Sequence, residues 1–214
     1  MARSSPAEKS RTRLLAALSL VVLAALLWSG IAPYDHATWA LEVAPAVIAA
    51  PALLATWRRY PLTTLLYVLI ALHALVLILG GAYTYARVPL GFWLQDLMHL
   101  GRNPYDKIGH LMQGLVPAMV TREILLQRGY LSSQPMAAFL SVCVAMAISA
   151  VYELIEWGVA LALGQDATEF LGTQGDPWDT QSDMFWALIG ATMAVTLLLR
   201  WHDRQMGNMQ GTTK

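Results

Sequence analysis

Pro61–Gly81, PLTTLLYVLIALHALVLILGG, runs for 21 residues without an Asp, Glu, Lys or Arg. Wound as a helix at about 1.5 Å per residue it is roughly 30 Å long, the thickness of the hydrocarbon core of a bilayer. A helix apolar on every side is either enclosed in a large core or inserted in a membrane. The rest of the chain favours the membrane. Of the 214 residues 57% are hydrophobic and 13% charged, against about 25% charged in an ordinary soluble domain. Leu14–Ala32, Ala40–Trp57, Asp106–Leu126, Pro135–Leu163 and Ser182–Trp201 have similar length and apolar character. The expected fold is all-α, a polytopic membrane helix bundle of about six transmembrane helices.

This implies an N-terminal tail over 1–13, a transmembrane domain over 14–201 and a C-terminal tail over 202–214. The more polar core region lies at 83–191. Ala40–Trp57 contains Pro45 and Pro51, so a kinked helix is expected, with neighbours satisfying the freed carbonyls. Arg3, Lys9, Arg11 and Arg13 precede the first span. Its apolar run exceeds that of a secretory signal and lacks a clean cleavage site, so an uncleaved span is expected. Cys143 is the single cysteine. It reads as a structural core residue, with no CxxC motif and no partner for an intrachain disulfide.

Six crossings place both termini on one side. Eleven of the 14 basic residues then share that side, and only Arg87, Arg102 and Lys107 lie opposite. The positive-inside rule makes both termini cytoplasmic. The basic residues read as topology signals, not as a nucleic-acid surface. Two long external connections follow, Ala82–Tyr105 and Gly164–Gln181, rich in aromatic residues and prolines. Val88–Leu100 fits an interfacial segment with Phe92 and Trp93 at headgroup level. Trp28, Trp39, Trp157, Trp178 and Trp201 fit interfacial anchors. Glu42 reads as a helix-start acid favoured by the dipole, and His73 as a satisfied core histidine.

The scarce charges are not scattered. DLMHLGRNPYDKIGHLMQG, Asp96–Gly114, gathers Asp96, His99, Asp106, Lys107 and His110 at the mouth of the fourth span. His110 lies about 6 Å deeper than Asp106 along that helix. The fifth span carries VYELIEWG, with Tyr152, Glu153 and Glu156 roughly 10–15 Å below its outer end. DPWDTQSDM opens the sixth, bringing Asp176, Asp179 and Asp183. Spacings of three and four residues put Asp106 with His110, and Glu153 with Glu156, on common faces. Three helices thus converge on one polar layer in the outer leaflet. Ionisable groups at that depth are expensive and face a bundle interior or a wet cavity.

Blander readings exist for the individual residues. Lys107 can neutralise a glutamate in a structural ion pair. Asp179 can cap its helix, and Thr180 with Asp183 has the form of a capping box. His110 can donate to a backbone carbonyl alone. Asp96 and His99 can be an exposed loop pair.

DKIGHLMQG, YELIEW and GTQGDPWDTQSDM…GA together resemble the YjdF family of uncharacterised bacterial inner-membrane proteins, over about Tyr83–Ala191. That resemblance implies an inner-membrane location and a helical fold, but no reaction. A more distant similarity is to VanZ-like proteins, at Asp106, Lys107, His110, Glu153, Glu156 and Asp183. Their pattern tends to have glutamine at the position of Glu156, and asparagine is common at that of Asp183.

Three functions fit these residues. The first is an envelope protein whose outer-leaflet site, at Asp106, Lys107, His110, Tyr152, Glu153, Glu156, Asp179 and Asp183, binds a lipid headgroup or small polar ligand. Asp96, His99 and Asp176 are possible loop contributors. The second is an intramembrane metal-dependent hydrolase acting on a lipid-linked substrate. His110, Glu153, Glu156 and Asp183 would be its metal ligands, Asp106 would orient His110, and Lys107 would steady an anionic substrate. No complete metal motif is present, so a divalent metal remains one option for the cofactor. The third is a proton-coupled carrier, for which no inverted repeat is visible. There is no GxSxG, HExxH or P-loop.

Overall fold

A computed structural model of the chain describes residues 6–163 and 174–211. Arg3, Lys214 and much of the Gly164–Gln181 connection lie outside the described residues. All regular structure among them is helical: α1 (Pro6–Ile31), α2 (His36–Thr56), α3 (Thr64–Tyr83), α4 (Pro89–Met98), α5 (Tyr105–Gln127), α6 (Gln134–Leu163), α7 (Asp179–Leu197) and α8 (Leu199–Gly211).

The helix starts follow local chemistry. Asp35 Oδ1 accepts from Thr38 N at 2.7 Å to cap α2, and the Thr63 side chain accepts from Leu66 N to cap α3. Each satisfies one of the amide donors a helix start leaves open. Pro89 occupies the first turn of α4, where its missing N–H costs nothing. Pro45 and Pro51 both sit inside α2, which remains one helix of 21 residues.

The helices from Lys9–Ile31, His36–Thr56, Thr64–Tyr83 and Gln134–Ala162 are long and apolar enough to cross a membrane. A fifth is added if α7 and α8, bent by 59°, count as one span. The single helix expected over Ser182–Trp201 is therefore broken at Leu198. α5 is not among these apolar spans, although 23 residues reach about 34 Å. Its place in the bundle explains its polarity. It packs against α3, α6 and α7, so protein, not lipid, surrounds much of it. α1 is peripheral, with 6% of its most apolar window buried against 44% for α3.

α5 and α7 approach each other closely. A Cβ on Gly114 would lie 1.8 Å from the Ala187 carbonyl oxygen, and one on Gly190 would lie 1.9 Å from that of Leu111. Small residues let helix backbones meet this closely in membranes. Leu115, Val116, Ala118, Met119, Ala145, Ala191 and Ala194 fill the adjoining core with Leu65 and Leu66 of α3. α6 presents a stripe of small buried residues, Ala137, Ser141, Ala145 and Ser149, which leads to Glu153. Cys143 is exposed, contrary to its expected place in the core. It lies about 200° around α6 from Ser141 at 100° per residue, off the packed stripe.

At its far end α5 carries a buried polar network. Glu123 Oε1 accepts from Thr63 N at 2.7 Å and from Gln127 Nε2 at 2.9 Å. Its Oε2 accepts from Thr63 Oγ1 at 2.7 Å and lies 2.7 Å from His202 Nε2. Arg122, expected as a topology signal, is 1% exposed and pairs with Asp203 at 2.7 Å and Gln134 at 2.5 Å. His202 and Asp203 belong to α8, so this network provides the reason for the bend after α7: it docks α8 onto the end of α5.

Candidate functional site

The opposite end of α5 holds a second buried polar cluster. Asp106 and His110 lie one turn apart on α5, with His110 Nε2 3.5 Å from Asp106 Oδ1. Asp183 of α7 brings Oδ2 to 3.9 Å from the same nitrogen. On the other side of the ring, Nδ1 lies 3.1 Å from Gln113 Oε1 and 3.8 Å from Glu153 Oε1 of α6. His110, Glu153 and Asp183 are all buried. Ligand atoms of Asp106, His110 and Asp183 lie within 4.8 Å of one another, close enough to share a metal ion.

α2 contributes a further acid. Glu42 Oε2 accepts from the Tyr152 hydroxyl at 3.2 Å. Glu42, Tyr85, Asp106, His110, Tyr152 and Glu156 line a small cavity of about 20 Å³, room for one water or one ion. Tyr85 reaches it because Thr84 and Tyr85, at φ 55° and 38°, turn the chain sharply after α3. Its ring occupies the space where a Cβ on Gly80 or Gly109 would stand.

Above the cluster, the two long connections are tied together. Arg102 pairs with Asp179 at 2.6 Å and Asp176 at 3.2 Å. Burial works against the Arg102 guanidinium, but the hydrogen bond and charge of Asp179, with Asp176 beyond, raise its pKa above the usual value. Asn103 N donates to Gln174 Oε1 at 3.1 Å, and Gln174 Nε2 returns a bond to Asn103 O at 3.0 Å.

Several expectations change at this point. Asp179 does not cap its helix: Trp178 holds that position without a side-chain cap bond, and Asp179 is engaged by Arg102. Lys107 donates to Ser182 Oγ at 2.6 Å, so its hydrogen bond joins α5 to α7 and not to a glutamate of α6. Asp106 shares the Nε2 side of His110 with Asp183, while Gln113 occupies the Nδ1 side. Gln113, not Asp106, is therefore placed to orient the ring. Asp96 and His99 are exposed, His99 ending α4 in a left-handed conformation. His73 Nε2 is buried with no hydrogen-bond partner, unlike the satisfied histidine expected.

Glu42, Tyr85, Gln113 and Arg102 were not expected in the cluster. Glu42 had a sequence signal of its own, a carboxylate inside an apolar segment. Its nearness to α2's start made the helix dipole a sufficient account.

The two clusters on α5 differ in one respect. Glu123 has partners for both carboxylate oxygens, whereas Glu153 Oε1 and Asp183 Oδ1 are buried without any. An unsatisfied buried acceptor costs on the order of 1–3 kcal/mol, more if charged. In the first cluster both carboxylate oxygens of Glu123 are satisfied, and among its described residues only Arg122 Nε lacks a hydrogen-bond partner. The second is incomplete.

Residues 14–204 match a family model described as a predicted membrane protein, DUF2238. The chain is also 59% identical over 190 residues to an Escherichia coli (strain K12) protein named inner membrane protein YjdF, covering 89% of this chain and 90% of that one. No solved structure matches.

Proposed function

The chain belongs to the DUF2238 family of membrane proteins, and we propose that its incomplete polar cluster is a binding site for a small polar ligand in the cell envelope. The inner membrane is its proposed location, as for the relative from Escherichia coli, with the cluster in the outer half. The observation that carries this reading is the pair of orphaned oxygens, Glu153 Oε1 and Asp183 Oδ1, within a convergence of acids from four helices. Residues buried for stability alone are expected to be paired. The adjoining cavity, lined by Glu42, Asp106, His110 and Glu156, admits something the size of a water or an ion, so a lipid headgroup would engage it through a small cationic end.

The test is thermal stabilisation of the purified protein by phosphoethanolamine, glycerol phosphate and divalent cations in turn. At least one should raise Tm in the wild type and leave a Glu153→Gln/Asp183→Asn variant unmoved. No response from any of them would remove the proposal. The second reading, a metal-dependent hydrolase, is favoured by the convergence of Asp106, His110 and Asp183. It requires in addition that a bound metal support turnover of a lipid-linked phosphate or amide.

A further inference from the structure

We propose that the ligand of this site is a divalent first-row transition-metal ion, zinc being the reference case, held by Asp106 and His110 of α5 and Asp183 of α7. The proposal rests on the ligand-site reading above and names the chemistry of its occupant.

The distances carry the first argument. His110 Nε2 stands 3.5 Å from Asp106 Oδ1 and 3.9 Å from Asp183 Oδ2. Direct N–H···O hydrogen bonds close to about 2.7–3.2 Å, so the ring and the carboxylates are held just apart. Two ligand atoms each about 2.1 Å from a tetrahedral ion lie roughly 3.4 Å from each other. The observed spacing suits donors arranged around a common cation better than donors bonded to one another.

Gln113 carries the second. Its Oε1 accepts at His110 Nδ1, 3.1 Å away. In the neutral tautomer that this bond favours, the proton is on Nδ1 and the Nε2 lone pair is free to take a metal on the side of the two carboxylates. Some cation, a metal ion or a shared proton, is needed where the lone pair and the two carboxyl groups converge. Metal-bound histidines are characteristically oriented by a hydrogen bond of this kind on the other ring nitrogen.

Glu153 is an observation independent of the three ligands. It is 6% exposed, and its Oε1 points to within 3.8 Å of the imidazole with no hydrogen-bond partner. It adds negative charge on the Nδ1 side of the imidazole whose Nε2 side faces Asp106 and Asp183, and Lys107 is bonded to Ser182. A dication on the Nε2 side offsets that charge. A donor set that includes an imidazole favours zinc over calcium or magnesium, whose sites are built from oxygen.

The competing account is an imidazolium, with a proton on each nitrogen and no metal. The experiment that separates the two uses the full chain in detergent, stripped with chelator, loaded with zinc, desalted and assayed by elemental analysis. One ion per wild-type chain is expected, with affinity falling about 10–100-fold in Gln113→Leu and stoichiometric binding lost in Asp183→Asn and His110→Gln. Cobalt loading should give visible bands in the wild type that His110→Gln abolishes. Far-UV circular dichroism and Tm identify any variant that has simply failed to fold, and Asp183→Asn, nearly isosteric, is the variant that decides. Substoichiometric zinc in the wild type, or equal zinc in folded Asp183→Asn, overturns the metal. If zinc fails while phosphoethanolamine or glycerol phosphate still raises Tm in the wild type alone, the metal falls and the ligand site stands. If none of them acts, both fall.

Discussion

Glu156 and Glu123 are both glutamates within a membrane bundle, and the structure gives them opposite consequences on substitution. Glu156 is partly exposed on α6 and lines the small cavity, while Lys107 is bonded elsewhere, to Ser182. Glu156→Gln therefore leaves no buried cation behind. It should insert and fold with a stability change within about 1 kcal/mol and yet lose whatever phenotype a deletion shows. Adding Lys107→Met should restore nothing, because there is no ion pair to balance. Rescue of abundance by that second change would show that the two charges hold the helices together. Glu123→Ala is the contrasting case. It strips acceptors from Thr63 N, Thr63 Oγ1 and His202 Nε2, each worth on the order of 1 kcal/mol or more when left buried and unpaired. A loss of about 3 kcal/mol or more, read as early melting or low abundance, is expected. Asp106, His110, Glu153 and Asp183 were legible in the sequence because ionisable groups in apolar helices are rare and each needs a reason. That Glu123 is satisfied and Glu153 is not was beyond its reach. Both sit in similar patterns, and only the donors from Thr63 and from His202, far away in the chain, distinguish them.

Between elements, the separation of α5 and α7 sets the geometry of the cluster. Gly114→Ala or Gly190→Ala would drive a methyl group into the Ala187 or Leu111 carbonyl. Those are backbone atoms, so a side-chain rotation cannot relieve the clash and the helices must part. Overpacking typically costs about 1–3 kcal/mol. Parting the helices also carries Asp183 away from Asp106 and His110, so ligand stabilisation should fall along with Tm. Gly158 of α6 has open space around the same position. Gly158→Ala should be neutral or stabilise by up to about 1 kcal/mol through helix propensity, measured by the same denaturation series. The helices themselves, four of them long and apolar enough to span a membrane, were readable from length and hydropathy. α5 was found in spite of Arg122 and Glu123 near its end, and α4 falls within the segment expected at Val88–Leu100. Less legible were the break after α7 and the exposed face holding Cys143. A run of apolar residues does not say which of its sides meets protein, and the bend follows from His202 and Asp203 reaching α5, a tertiary cause.

Across the whole molecule, the two polar clusters mark the two ends of α5. Arg102, Asp176 and Asp179 close the end that holds His110. Arg59, Tyr60, Gln127 and Arg128 line a cleft at the other, beside Glu123. If the chain crosses six times, with α5 and α7 counted among the crossings, the positive-inside rule predicts a cytoplasmic basic end and an external proposed ligand site. Single cysteines in a Cys143→Ala background test this directly. Gly101→Cys, at an exposed position with nothing within 4 Å of the added Cβ, should react with an impermeant maleimide in intact cells. Arg128→Cys should react only after the membrane is opened. Native Cys143 must be removed because it is exposed on α6 and would blur the comparison. The reverse labelling pattern would place His110 and its carboxylates on the cytoplasmic side. A metal or headgroup ligand would then have to come from the cell interior, and the envelope role would be lost even with every distance in the site unchanged.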